Sequence, residues 1–116
     1  MTPPSNRIAA YRDEIGIQGG GSLVVVMDLF EITPAPRAGL FLERYRLSWI
    51  AFLVDDPDRR VLMDSHAPMG LHYHLDSGPQ VLVDLKTIED ALTFFEQKVI
   101  EHFGALEGGI YENFHV

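Results

Sequence analysis

The chain has 116 residues, 47 % of them apolar and 22 % charged, which is the size and composition of one globular domain with a single core. It contains no cysteine, which excludes disulfides, thiolate metal sites and cysteine nucleophiles and fits a reducing compartment. Nine Lys and Arg against seventeen Asp and Glu leave a formal charge of -8, which opposes unspecific affinity for phosphate backbones and leaves any nucleic-acid role to a local patch or a basic partner.

The amino terminus, "MTPPSNRIAAYRDEI", lacks the basic-then-apolar order of a signal peptide. No apolar run approaches the roughly 18 residues of a membrane span, so a cytoplasmic protein with no membrane association is expected. Residues Ile8 to Ile15 fit either a turn or two of helix or a first edge strand. The glycines of "GIQGGGS" supply the positive φ of a hairpin, and the β-branched run Leu23 to Ile32 after them reads as its long second strand. "TPAPRAG", Thr33 to Gly39, breaks that strand into a surface loop.

In "FLERYRLSWIAFLVD" the alternation has period two, which puts Tyr45, Leu47 and Trp49 on one face of a strand. The turn "DDPDR" leads into an antiparallel return, "RVLMD". After a break at Ser77 to Pro79, "QVLVDL" reads as a short final strand. The period then changes to 3.6: Ile88, Ala91, Leu92, Phe95, Val99, Ile100 and Phe103 form one stripe of a helix. Thr87 stands at its amino-terminal cap and Gly104 at its carboxy-terminal cap. His102, in the last turn, is most simply a surface residue that compensates the helix dipole.

These elements predict an α+β fold, an antiparallel sheet of four to five strands with one long C-terminal amphipathic helix packed on one face. Residues 1–104 form the expected domain. The tail 105–116 carries Ile110, Tyr111 and Phe114, large apolar groups that would be wasted on a disordered end and that dock either on the domain or on a partner.

The chemistry concentrates in "DSHAPMGLHYHLD", residues 64 to 76. Residues two apart on a strand share a face, which pairs Asp64 with His66, and His72 with His74 and, if the strand runs on, Asp76; a bend at "APMG" would bring the two groups together. Three readings stand side by side. Histidine and carboxylate at this spacing can hold zinc, iron or manganese, although the third ligand is unassigned and no cofactor is named by the pattern. Two imidazoles beside a carboxylate can move a proton at neutral pH, as metal-free phosphodiester cleavage requires, with Arg44, Arg46, Arg59 or Arg60 holding the phosphate. The third is a solvated loop in which Asp64 caps a turn and Tyr73 packs inward. The serines, Ser48 among them, lack the context of a hydrolase nucleophile.

The stretches "RYRLSW" (Arg44 to Trp49), "VLMDSH" (Val61 to His66), "HYH" (His72 to His74) and "TIEDALTFF" (Thr87 to Phe95) follow one another in an order that resembles the TumE family, small proteins described as toxins of type II toxin-antitoxin pairs. The sequence departs from that pattern where Leu62 or Met63 stands in place of an arginine before the aspartate. The resemblance implies a toxin module with a helix-turn-helix antitoxin as partner, RNA as a candidate substrate, and Asp64, His66, His72 and His74 as its functional residues. The alternative from the residues alone is a non-catalytic homo-oligomeric module that uses the sheet edge or the tail to hold a partner.

Overall fold

The computed structural model describes residues 5–32, 45–66 and 70–110. Six strands form one antiparallel sheet in chain order: β1 (Ser5–Gly16), β2 (Ser22–Ile32), β3 (Tyr45–Leu53), β4 (Asp56–His66), β5 (Gly70–Leu75) and β6 (Val81–Leu82). A single helix among the described residues, α1 (Ile88–Phe103), follows them.

The sheet has six strands where the sequence predicts four to five. Residues 8–15 lie in an edge strand, not a helix, because pairing with the β-branched run of β2 satisfies their backbone. The strand that the pattern hides is β5, cut from the histidine segment itself. Gly70, at φ 85°, opens it, and its "LHYHL" alternation pairs residue by residue with β4. At the far edge "QVLVDL" contributes only Val81 and Leu82. The loop expected at Thr33 to Gly39 lies outside the described residues.

Strand alternation sorts the side chains onto two faces. Leu23, Val25, Met27 and Leu29 of β2, Leu47, Trp49 and Ala51 of β3, and Val61 and Met63 of β4 are buried together with Ala91, Leu92, Phe95 and Val99 of the helix. Trp49 meets Phe95 edge to face with ring centroids 5.7 Å apart. Tyr73 packs inward on Phe94 in the same way at 5.4 Å, with the Lys98 ammonium over both rings. The helix thus covers one face of the sheet, and among the described residues no element packs on the other, the open face.

Thr87 caps the helix, its Oγ1 accepting from the Asp90 N–H at 3.0 Å, and Gly104, at φ 100°, ends it with its N–H on the Ile100 carbonyl. Residues 105–110 then cross the end of β1. Leu106 bridges Ile17, the Glu107 N–H donates to the Gly16 carbonyl, and Ile110 is fully buried with its N–H held by Glu96 Oε2 at 2.7 Å. Tyr111 and Phe114 lie outside the described residues. Among those described, no helix is long and apolar enough to cross a membrane.

Candidate functional site on the open face of the sheet

Register builds the site. Asp28, Ser48, Asp64 and His72 are successive cross-strand partners and form one polar row over β2, β3, β4 and β5. The adjacent row is Val26, Ile50, Leu62 and His74, and the next holds Val24, Phe52 and Arg60. Each of these residues alternates with a buried core residue, so all stand on the face away from α1.

The pairing of β4 with β5 sets Asp64 opposite His72, with His74 on the same face. His66 ends β4 opposite Gly70, and its side chain lies outside the described residues. The segment is a hairpin and not a solvated loop, and its hydrogen bonds show why the imidazoles are ordered. His72 Nδ1 lies 2.9 Å from the Gly70 carbonyl and His74 Nδ1 lies 3.2 Å from the Gly78 carbonyl. A carbonyl oxygen only accepts, so in both rings Nδ1 carries the proton and Nε2 is the basic nitrogen of the neutral imidazole. The rings meet edge to face with centroids 5.3 Å apart.

The two histidines differ in access. His72 is 2 % exposed, whereas His74 is half-buried and reaches solvent. Asp64 Oδ1 accepts from the Ser65 N–H at 2.9 Å, and Ser65 in turn is buried with its Oγ accepting from the Leu47 N–H at 3.0 Å. These bonds tie the carboxylate's strand to β3 and fix where Asp64 stands.

A second cluster secures the end of the hairpin. Asp76, in the left-handed region at φ 56°, accepts at Oδ1 from the Arg60 N–H at 2.9 Å and from His102 Nε2 at 2.8 Å. Its own N–H donates to the Arg60 carbonyl, and Arg60 Nε donates to the Asp76 carbonyl at 3.4 Å. The His102 bond, followed by the Arg60 N–H, holds the Asp76 carboxyl below its ordinary pKa. His102 is thus not simply a surface dipole group. Its side chain is 18 % exposed and joins the last turn of α1 to the strands that carry the site.

Of the arginines that could hold a phosphate, Arg46 and Arg60 lie on the open face, and Arg60 is the diagonal neighbour of His74 across β4 and β5. Arg59 instead lies over the Phe103 ring of the helix at 5.7 Å, and Arg44 is outside the described residues. Arg7 and Arg12 face the same open side from β1, opposite Phe30 and Val26. The acidic groups that register places there are Glu14, Asp28 and Asp64, with Arg7 3.5 Å from Asp28. An acidic chain therefore gathers several of its arginines on one face.

Sequence reasoning missed Asp28 and Ser48, which no motif connects to residues 64–76; only the pairing of three strands brings them into the row. Leu62 is the cross-strand partner of His74, and Met63 is buried in the core. Among the described residues no group of three His, Asp or Glu side chains is arranged to hold a metal ion.

The class that fold and site define is a small α+β protein with a histidine and carboxylate row on the sheet face away from its helix. No model of a known family, no curated protein and no solved structure matches the chain.

Proposed function

We propose that the chain is a cytoplasmic toxin module of the TumE-like class that cleaves RNA by proton transfer at His74. The observation that carries this reading is the pair of Nδ1-anchored imidazoles beside Asp64 on the open face, with the more accessible one, His74, next to Arg60.

In the proposed reaction His74 Nε2 takes the proton of a ribose 2′-hydroxyl, and that oxygen attacks the adjacent phosphorus. The bond from phosphorus to the 5′ oxygen breaks, the departing oxygen takes a proton from water, the protonated His74 returns its proton to the hydroxide so formed, and the products are a 2′,3′-cyclic phosphate and a 5′-hydroxyl. The Arg60 guanidinium, charged at any physiological pH, steadies the phosphate as negative charge builds on its equatorial oxygens. Asp64 and His72 are positioning residues: buried His72 braces the His74 ring edge to face, and Asp64 faces it across the ladder. The arginines of the open face offer the local basic patch that a net charge of -8 otherwise denies to RNA. An antitoxin partner would silence the site by covering this face.

The test is incubation of the purified full chain with single-stranded RNA in the presence of a chelator. Fragments ending in 2′,3′-cyclic phosphate, absent with His74→Ala, support the reading. Intact RNA, or cleavage that His74→Ala leaves unchanged, sinks it.

A second reading, a binding module without chemistry, is favoured by the half-buried apolar row Val26, Ile50 and Leu62 that runs up to His74 on the same face. Under that reading Ile50→Asp abolishes partner capture while His74→Ala does not.

A further inference from the structure

We propose that the outer edge of β1 is a self-association surface, on which β1 of a second copy adds antiparallel to make one continuous sheet across two protomers.

The two edges of the sheet are unequal. β6 has two residues, preceded by Pro79, and offers almost no ladder. β1 has twelve residues from Ser5 to Gly16, with no proline among them. Residues 105–110 of the tail cover its end, through the Glu107 N–H on the Gly16 carbonyl and the Gln18 N–H on the Ala105 carbonyl. Among the described residues the only further bond on that edge is local: the Glu14 N–H donates to Asp13 Oδ1 at 2.8 Å, a side chain that a second copy's strand must displace there. Because the Gly16 carbonyl points outward to Glu107, alternation directs the N–H and C=O of Glu14, Arg12 and Ala10 outward as well.

A second copy fits this edge by charge. Setting Tyr11 opposite Tyr11 brings Ala10 opposite the partner's Arg12. The bulge between Arg7 and Ala9 removes one residue from the count, so Arg7 falls opposite the partner's Glu14. Both members of that pair lie on the open face, and the two-fold axis makes the pair twice. The neighbouring registers are worse. One places Arg12 against Arg12, and the one centred on Ala10 places Arg12 against the partner's Arg7 across the bulge. The register centred on Asp13 pairs Arg12 with Glu14 but sets Asp13 against Asp13 and runs into the tail at Gly16. Charge complementarity and the tail at Gly16 together thus favour the register centred on Tyr11, a self-complementary match that a foreign strand has no reason to share.

The proposal is independent of the function argued above, and its test reads only mass. Light scattering on the full chain, over a concentration series from low micromolar upward, is expected to show a dimer. Ala10→Pro removes an outward N–H that β2 does not use and is expected to give a monomer. Glu14→Arg is expected to weaken association about tenfold by turning two attractive pairs repulsive. Adding Arg7→Glu to Glu14→Arg is expected to restore it. Near-ultraviolet dichroism of Trp49 confirms that each variant is folded. If Ala10→Pro does not fold, the charge-reversal pair alone decides. A monomeric wild type, a dimer indifferent to both Ala10→Pro and Glu14→Arg, or a loss that the double reversal does not restore would each overturn the proposal.

Discussion

Asp64 and His72 stand directly opposite each other on β4 and β5, on the face of the sheet that the helix leaves uncovered, and both are held by hydrogen bonds to backbone within two residues of themselves. Their neighbour His74, anchored on Gly78, is the imidazole that solvent reaches. The consequences separate into effects on chemistry and effects on stability.

His74→Ala and His72→Ala should part company. His74 is half-buried with one long bond to a carbonyl, so its loss is expected to change stability by less than about 1 kcal/mol while removing RNA cleavage. His72 is buried and anchors on Gly70, so its loss is expected to cost about 1–3 kcal/mol and to reduce activity through the displaced His74 ring. Urea titration beside an RNA cleavage assay measures both. Equal stability losses in the two variants would contradict the assigned roles.

Arg60→Gln keeps the backbone N–H that Asp76 uses and removes the guanidinium, whose Nε donates to the Asp76 carbonyl at the position diagonal to His74. Cleavage should fall about tenfold or more while the melting temperature moves little. The residual activity should also depend less on salt than that of the wild type, since one phosphate contact has gone. A rate profile over ionic strength checks this.

Asp76 gives a pH dependence with a definite sign. Its carboxyl is held below the ordinary 3.8 mainly by His102, then by the Arg60 N–H, so the folded state favours its charged form. That stabilisation is fully present above the unfolded value and is lost as pH falls through the folded one. Asp76→Asn should therefore be less stable than the wild type at neutral pH, with the gap narrowing as pH drops below 3.8. Thermal melts at several pH values decide it, and a gap that widened in acid would refute the assignment.

Gly78→Ala tests the support of His74. A Cβ there would fall 2.8 Å from the Leu75 carbonyl oxygen, a backbone atom, so the turn must shift. The same turn carries the Gly78 carbonyl that accepts from His74. A loss of about 1–2 kcal/mol is expected, with a changed chemical shift at His74 Nδ1. An unaltered imidazole signal would mean that the turn does not position the ring.

Much of this architecture is legible in the residues. The 3.6-residue stripe from Ile88 to Phe103 with Thr87 as its cap, and the burial of Leu47 and Trp49 on one face, follow from periodicity alone. The spacing of His72 and His74 also announces their shared face, because side chains two apart on a strand point the same way, whereas Asp64 joins them only through the register of β4 on β5. What local pattern could not supply is register. Asp28 and Ser48 join the row only through pairings of strands far apart in the chain, and a strand rich in histidine, opened by a glycine, carries little β propensity to betray β5. His102 shows the same limit: its bond to Asp76 spans 26 residues and has no local signature.

The most direct measurement is expression of the chain alone in cells, wild type beside His74→Ala, with growth and bulk RNA integrity followed together. The account predicts that the wild type arrests growth with RNA decay and that His74→Ala, accumulating to the same level, does neither. Folded wild-type protein that leaves growth and RNA unaffected, or a His74→Ala variant as toxic as the wild type, would contradict it.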